Sequence, residues 1–401
     1  MPGFNATRLE RIGGWMQSYV DRKRFAGASV LIAQGGKEVY YHDCGLRDVA
    51  QAAPWQRDTV ARIYSMTKPV TSVALMMLAE KGLFHLDAPV SDFIPSFGEM
   101  TCLVEGATAL DQVVPCETPT LHQLLTHTSG LSYAFNPGVL GQAMTDQKIE
   151  FHGDRETLAQ ACDRAAALPL AFAPGARWNY SIGIDVIGRV IEVASGKALE
   201  QFLVDEIFDP LGMDETRFSV PAQARDRFAA CYTPLAGNAF STGKVEKAED
   251  SLRLIDGSDK SPFLKTELHS GGGGLVGTID DYLKFTEMMR TGGAGVIGPK
   301  TLAFMMRNHL GSDIASMGPD SFAEQAMEGT GFGIGGAVLL DPARARALGS
   351  VGDFSWGGMA STCFWIDPVF DLSVIFFTQL IPSSSYPARP QLRALVHGAM
   401  T

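Results

Sequence analysis

The chain has 401 residues, 46% hydrophobic and 19% charged, and its 33 basic and 44 acidic side chains give a formal net charge of −11. The length predicts two domains, or one large domain with an insertion, and the composition is that of a globular protein with ample core material. The acidic balance excludes a sequence-independent nucleic-acid binder, which needs a basic footprint. The longest apolar stretches, such as Leu372 to Phe377, are strand-length, so no membrane span is expected. Met1 to Asn5 opens no apolar leader, which makes the cytoplasm the expected compartment. The six cysteines are scattered with no C-x-x-C pair, so they read as buried free thiols, with neither a disulfide framework nor a metal site.

Taken in chain order, residues 7 to 22 place Leu9, Ile12, Trp15, Met16 and Val20 at helical spacing between charges, which predicts an amphipathic surface helix. Ala28 to Ala33 and Glu38 to Tyr41 are β-prone runs around Gly35-Gly36, the pattern of a hairpin. Thr67 to Lys81 are mostly good helix formers, and Gly82 supplies a stop. Residues 83 to 215 mix short helical patterns with Pro/Gly-rich loops. Residues 236 to 262 are polar and read as a long surface excursion. Strands are expected at 331–340, 359–366 and 372–378, and a last helix from Pro390 to Ala399. No repeat or low-complexity tract interrupts the chain.

This order predicts an α/β (α+β) fold: an antiparallel sheet, built from both ends of the chain and flanked by N- and C-terminal helices, with a mostly helical insertion. The domains are then 1–82 with 216–401, and 83–215, and the cleft between them is the place for a site.

Ser65-Met66-Thr67-Lys68 reads S-x-x-K. If Ser65 opens the 67–81 helix, Lys68 lies three residues on and on the same face, within reach of the seryl oxygen. The helix N-terminus also turns N–H groups towards a developing oxyanion. The motif alone is weak, since about one or two matches arise by chance in a chain this size. A second copy, Ser241 to Lys244, stands in the polar excursion with no helix behind it and reads as a decoy.

Other motifs give Ser65 its context. Leu124 to Leu131 (Leu-Leu-Thr-His-Thr-Ser-Gly-Leu), Pro174-Gly175-x-x-Trp178-x-Tyr180-Ser181 and Trp356-Gly357-Gly358-Met359 follow in that order. Together they resemble the penicillin-recognising serine hydrolases of the class C β-lactamase-like branch, and above all the family VIII carboxylesterases, over nearly the whole chain. The resemblance implies a β-lactamase/transpeptidase-like fold and no cofactor. It further implies Ser65 as nucleophile, Lys68 as its proton partner, Tyr180 as second base or relay, and an oxyanion hole from the N–H groups of Ser65 and Met359. Unperturbed Lys and Tyr have pKa values near 10, so making either a free base at neutral pH costs about 4 kcal/mol. Placed together they can share that cost: a cationic lysine favours tyrosinate, and burial favours neutral lysine. Which of them takes the seryl proton stays open.

The sequence departs from the β-lactamases at two points. Trp356 stands where those enzymes and the related D-alanyl-D-alanine peptidases have Lys or His before Thr-Gly, so an apolar wall replaces a carboxylate partner. Gly357 and Gly358 allow close backbone approach. Ile182 replaces the Asn of Tyr-x-Asn. Trp356, Gly357, Gly358 and Ile182 are therefore the expected substrate-binding residues, and the expected reaction is hydrolysis of neutral, short-chain esters through acyl-Ser65.

Rival readings using the same machinery are an acyltransferase, a weak β-lactamase and a D-amino-acid peptidase; a non-catalytic binding protein is the rival from another class. The expected partner is a small-molecule ester. His127 reads as part of a structural turn, not a triad member. His122 and His127 are spaced wrongly for a helical zinc pair. Asp353-Phe354-Ser355-Trp356-Gly357 lacks the first glycine of a nucleophile elbow. Gly331-x-Gly333-x-x-Gly336 leads into a strand, against nucleotide binding. Gly271–Gly274 reads as a flexible or strained strand approach near the cleft, and Arg177, Asp185 and Arg189 as surface or supporting charges.

Overall fold

The computed structural model describes residues 3–153, 155–237, 239, 251–322 and 325–401. Asn5 caps the first helix, α1 (Ala6–Asp21), by accepting from Arg8 N–H at 3.1 Å. Three strands follow, β1 (Gly27–Gln34), β2 (Lys37–Asp48) and β3 (Ala53–Pro54). Helix α2 (Thr67–Glu80) carries Pro69 in its first turn, where the missing N–H costs no intrahelical bond, and stops at Gly82 with φ +73°. Helix α3 (Gly183–Ser195) packs against it, and α4 (Ile279–Arg290) lies on the sheet beside β1.

Strands β4 (Thr330–Phe332), β5 (Ala337–Leu339), β6 (Phe354–Gly357), β7 (Cys363–Asp367) and β8 (Leu372–Thr378) precede the last helix, α5 (Ala388–Gly398). Among the described residues the main sheet has eight strands in the order β4-β5-β6-β7-β8-β1-β2-β3, antiparallel throughout. The expected sheet from both chain ends, with its terminal helices, is therefore present.

Alternation along the central strands explains why they are buried on both faces. Val30 and Ile32 of β1, Trp365 of β7 and Phe376 of β8 face α1 and α5, meeting Ile12, Met16, Leu392 and Val396. Leu31, Phe364, Ile375 and Phe377 face the opposite way, into a core shared with Val73 and Leu75 of α2, Tyr282 and Phe285 of α4 and Val186 and Ile187 of α3. Helix α2 is buried on every side from Thr67 to Leu78, as its lack of a polar face requires. The stretch 83–215 carries helices and one short hairpin (Thr101–Leu103 with Val113–Pro115), and its apolar residues join this same core.

Two strand expectations need correction. Residues 331–340 form a tight hairpin, β4–β5, because Gly335 takes φ +86° with the backbone pressed against Ser72 of α2. Residues 359–366 begin as a loop: β6 ends at Gly357, and pairing resumes at Cys363. All six cysteines are free thiols.

The outer layer holds a pH-sensitive histidine. His397 of α5 lies over Trp365 with ring centroids 6.3 Å apart, near Asp353 and Asp367. Burial, then the Arg393 charge, push its pKa down from 6.5 to about 4, with Asp367 opposing. The unfolded chain takes up this proton near pH 6.5 and the folded chain does not. Its contribution to stability is therefore present above about pH 6.5 and lost as pH falls through about 4, a total of about 3 kcal/mol. Urea unfolding at pH 7 and pH 4.5 should show a smaller acid loss in His397→Gln than in the wild type; equal losses would remove His397 as a cause.

Candidate active site

The nucleophile candidate sits on a bend, not inside a helix. Tyr64–Met66 form one 3-10 turn that runs directly into α2. Tyr64 has φ +43°, a left-handed conformation that costs a non-glycine residue energy. Its ring is held edge-on to Phe263 at 5.7 Å, and Arg62 ties down the approach. The Arg62 guanidinium is wholly buried. It pairs with Asp256 at 2.7 Å, donates to Ser261 Oγ at 3.2 Å and to the Ala229 carbonyl at 2.5 Å, and lies 4.1 Å from the Phe228 ring centroid.

Ser65, Lys68 and Tyr180 meet. Tyr180 OH donates to Ser65 Oγ at 2.7 Å, while Lys68 Nζ stands 3.4 Å from the same oxygen. The lysine is fully buried and its other donors go to Tyr133 OH at 2.9 Å and the Gly272 carbonyl at 2.6 Å. An ammonium has three donors, and all three are used. Nζ also lies 4.6 Å from the Tyr180 ring centroid and 5.2 Å from that of Tyr133.

Behind Lys68 lies a group that the sequence did not reveal. Tyr133 OH donates to Asp185 Oδ2 at 3.2 Å, and the same carboxylate accepts from Gly272 N–H at 3.0 Å and from Ser270 Oγ. Burial and then the Asp185 charge push the Tyr133 pKa well up, so the phenol keeps its proton, donating to Asp185 while its oxygen accepts from Lys68. Burial raises the Asp185 pKa, and the Lys68 charge opposes this. Of the two readings given to Asp185, surface or supporting charge, the structure fits the supporting one. By contrast Arg177 makes an exposed ion pair with Glu105, and Arg189 pairs with Glu192. The Gly271–Gly274 run is a turn, not a strand. A Cβ on Gly272 would lie 2.2 Å from the Asp185 carboxylate, so only glycine lets one residue serve both Lys68 and Asp185.

Tyr180 is positioned by the Thr-His-Thr-Ser-Gly turn. Asn179 N–H donates to the His127 carbonyl and Asn179 Nδ2 to that of Leu131, each at 2.9 Å, and Asn136 Nδ2 donates to the Tyr180 carbonyl at 2.8 Å. The His127 ring packs on Tyr180, its Nδ1 accepts from Ser181 N–H at 3.3 Å, and burial lowers its pKa well below 6.5. It makes no hydrogen bond to Ser65 and serves the turn. His122 pairs with His309 at 3.1 Å, away from any zinc-like grouping. Among the described residues the one grouping with metal-ligand spacing is Asp353, Asp367 and His397, and Arg393 and Ser350 already bond its carboxylates.

Trp356, on β6, lies 5.5 Å from the Tyr180 ring, stacks on Phe322 at 5.9 Å and meets Phe332 edge-on at 5.2 Å. Trp356, Tyr180, Phe322, Trp178 and Phe135 wall one side of a cavity of about 1100 Å³. Ser65 and Lys68 do not line it; the cavity meets the site through Tyr180, Trp356 and Gly357. Gly358 and Met359 form the loop after β6. A Cβ on Gly358 would lie 2.4 Å from the Ile63 carbonyl, and Met359 and Tyr64 both pack against the cluster of Cys231, Ala360 and Ile381, so this loop abuts the turn that carries Ser65. Neither the Ser65 nor the Met359 N–H donates to an acceptor among the described residues. Ile182 is buried in the apolar core at the start of α3 and does not line the cavity. The Ser241–Lys244 motif lies outside the described residues.

A hydroxyl held between a phenol and a buried lysine, beside two undirected N–H groups, is the equipment of acyl transfer through a covalent intermediate. Comparisons with known proteins point to the same class of chemistry. A family model described as Beta-lactamase matches residues 13–398. The chain is 32% identical over 378 residues to Esterase EstB of Burkholderia gladioli, covering 93% of this chain and 91% of that protein. It is 28% identical over 406 residues to monacolin J acid methylbutanoyltransferase of Aspergillus terreus, covering 94% and 92%. The structure of EstCE1, a hydrolase with promiscuous acyltransferase activity, superposes with a TM-score of 0.81 at 30% identity over 98% of this chain and 99% of that one.

Proposed function

This chain belongs to the Beta-lactamase family, in the branch of the family VIII esterases, and on that premise we propose that it is a serine carboxylesterase acting on neutral esters through acyl-Ser65. The observation that carries the reading is the 2.7 Å contact of Tyr180 OH with Ser65 Oγ, backed by Lys68, with Trp356 where a carboxylate-binding cation would stand.

Tyr180 first gives up its own proton to solvent; Ser65 Oγ then bonds to the acyl carbon as its proton passes to the Tyr180 phenolate oxygen, the nearer partner. The ammonium of Lys68, 3.4 Å from Oγ and 4.6 Å from the Tyr180 ring centroid, stabilises that phenolate before the transfer. The carbonyl oxygen, now an oxyanion, is held by the N–H groups of Ser65 and Met359. The bond to the alcohol oxygen then breaks, and that oxygen leaves with the proton Tyr180 held. Water repeats the sequence on the acyl-enzyme, releasing the acid and restoring Ser65. The aromatic wall of Tyr180, Phe322 and Trp356 suits apolar acyl or alcohol groups, with room in the cavity beyond a short chain.

The alternative fate of acyl-Ser65 is transfer to an alcohol, and the apolar approach from the cavity favours testing it. Among the described residues no helix is long and apolar enough to cross a membrane.

p-Nitrophenyl butyrate hydrolysis measured beside nitrocefin hydrolysis tests the substrate class. Ester turnover should dominate by at least about a hundredfold, since Trp356 supplies no charge for the nitrocefin carboxylate and an unmatched charge weakens binding by a few kcal/mol. Nitrocefin turnover equal to ester turnover would refute the assignment. Added butanol should divert part of the acyl group into butyl butyrate.

A further inference from the structure

We propose that Arg389 is a positioning residue of the oxyanion hole, acting through the Gly358–Met359 peptide; the inference rests on the acyl-Ser65 reading above. Arg389 stands near the start of α5, buried, and its Nη2 donates to the carbonyl of Gly358 at 3.0 Å and of Thr362 at 3.2 Å. The Gly358 carbonyl and the Met359 N–H are the two ends of one peptide unit. That unit is trans, so its carbonyl and N–H point in opposite directions. A guanidinium that fixes the carbonyl towards α5 therefore turns the N–H away from α5, to the side on which the Ser65 turn lies.

The same contact acts on donor strength. A charged donor at a carbonyl polarises the whole amide and makes its N–H a better donor, by roughly 10–30% per bond in condensed phase. The Met359 N–H is thereby oriented and strengthened from behind by a group that never touches substrate.

The loop has no slack to orient itself otherwise. Gly358 N–H donates to the Thr362 carbonyl at 2.9 Å and Ser361 N–H to the Gly358 carbonyl at 3.1 Å, closing a turn. Ser361 Oγ ties that turn to the Leu380 carbonyl at 2.7 Å. One side of it lies against the Ile63 carbonyl, two residues before Ser65, and the other against Arg389. Gly357 fits the same account: a Cβ there would lie 2.4 Å from Arg389 Nη2, so this glycine makes room for the guanidinium and not only for substrate.

Arg389→Gln, Arg389→Lys and Gly357→Ala should be compared with the wild type for kcat and KM on p-nitrophenyl butyrate. Inhibition by butylboronic acid is measured alongside, because its tetrahedral adduct on Ser65 places an oxygen in the hole. The expected result for Arg389→Gln is a kcat lower by about 10- to 100-fold, KM within about twofold, and boronate affinity weakened by a similar factor to kcat. Arg389→Lys should regain part of kcat. Gly357→Ala should give the glutamine pattern, because its methyl displaces the guanidinium while α5 keeps its arginine. Unchanged kcat and boronate affinity in a variant with wild-type circular dichroism, or a loss confined to KM, would overturn the proposal. Should Arg389→Gln not fold, the other two variants decide by the same criteria. Ester turnover surviving in Ser65→Ala would instead remove the underlying reading; an inactive Ser65→Ala beside an unimpaired Arg389→Gln would remove this inference alone.

Discussion

Replacing Ser65 with alanine should lower kcat/KM for p-nitrophenyl butyrate by at least about 10⁴-fold, leaving only what binding and the oxyanion donors achieve without a covalent step. The size of the effect follows from the geometry. Both Tyr180 OH and Lys68 Nζ are directed at Oγ, so deleting that oxygen leaves the proton partners with nothing to deprotonate. Fold stability should change little, since the site is only partly buried and a small side chain remains in place. Wild type should also show a burst of nitrophenol and a single fluorophosphonate adduct, assigned to Ser65 by mass spectrometry. An adduct on Ser241 or Ser355, or ester turnover persisting in the alanine variant, would refute the site.

Lys68→Met should cost about 10³- to 10⁴-fold in kcat, the second-largest effect, because one change removes both a proton partner and the positive charge that meets the Tyr180 oxygen. Methionine nearly matches the lysine stem in volume, so the space stays filled. What is lost is the ammonium, and with it the donor to the Gly272 carbonyl and to Tyr133. A buried carbonyl left without its donor costs about 1–3 kcal/mol, so the variant should also be less stable. Asp185 gives a further signature. Its pKa is raised by burial and held back by the Lys68 charge, so removing that charge raises it further. A group with a raised folded pKa stabilises the protein below its unfolded pKa and loses that contribution as pH rises. Lys68→Met should therefore lose stability more steeply than wild type as pH rises from the ordinary carboxylate range towards neutrality. Single-turnover kinetics and urea unfolding from pH 4 to 8 check both parts, and a kcat within tenfold of wild type would exclude the role.

What could be read in the sequence was what is local or ordered along the chain. Ser65 and Lys68 lie three residues apart at a helix start, so their meeting is a property of one turn. Tyr180 and Trp356 were found because their surrounding motifs are distinctive and occur in order. Tyr133, Asp185 and Gly272 carry no such mark. They converge on Lys68 from a loop, a helix and a turn, and only the packed structure brings them together. Arg389 is invisible for the same reason, lying some thirty residues beyond the loop it holds. The misread strands share one cause: Gly333, Gly335 and Gly336 interrupt an apolar run that looks continuous, and the loop from Gly358 to Thr362 is apolar enough to resemble the strand that follows it.

The pairing of β1 with β8 has a consequence for the protein's birth. Ala28 lies opposite Thr378 and Gln34 opposite Leu372, so β1 leaves the ribosome long before the strand it must pair with. Until then β1, apolar on both faces, is paired along β2 alone and offers an open edge to any other nascent strand. Helix α1 can cover one face early, but β8 and α5 emerge more than three hundred residues after β1. The Ser65 turn, translated well before β8 and α5, thus gains its full set of neighbours only once they have emerged, when Asn5 N–H meets the Ala399 carbonyl at 2.8 Å.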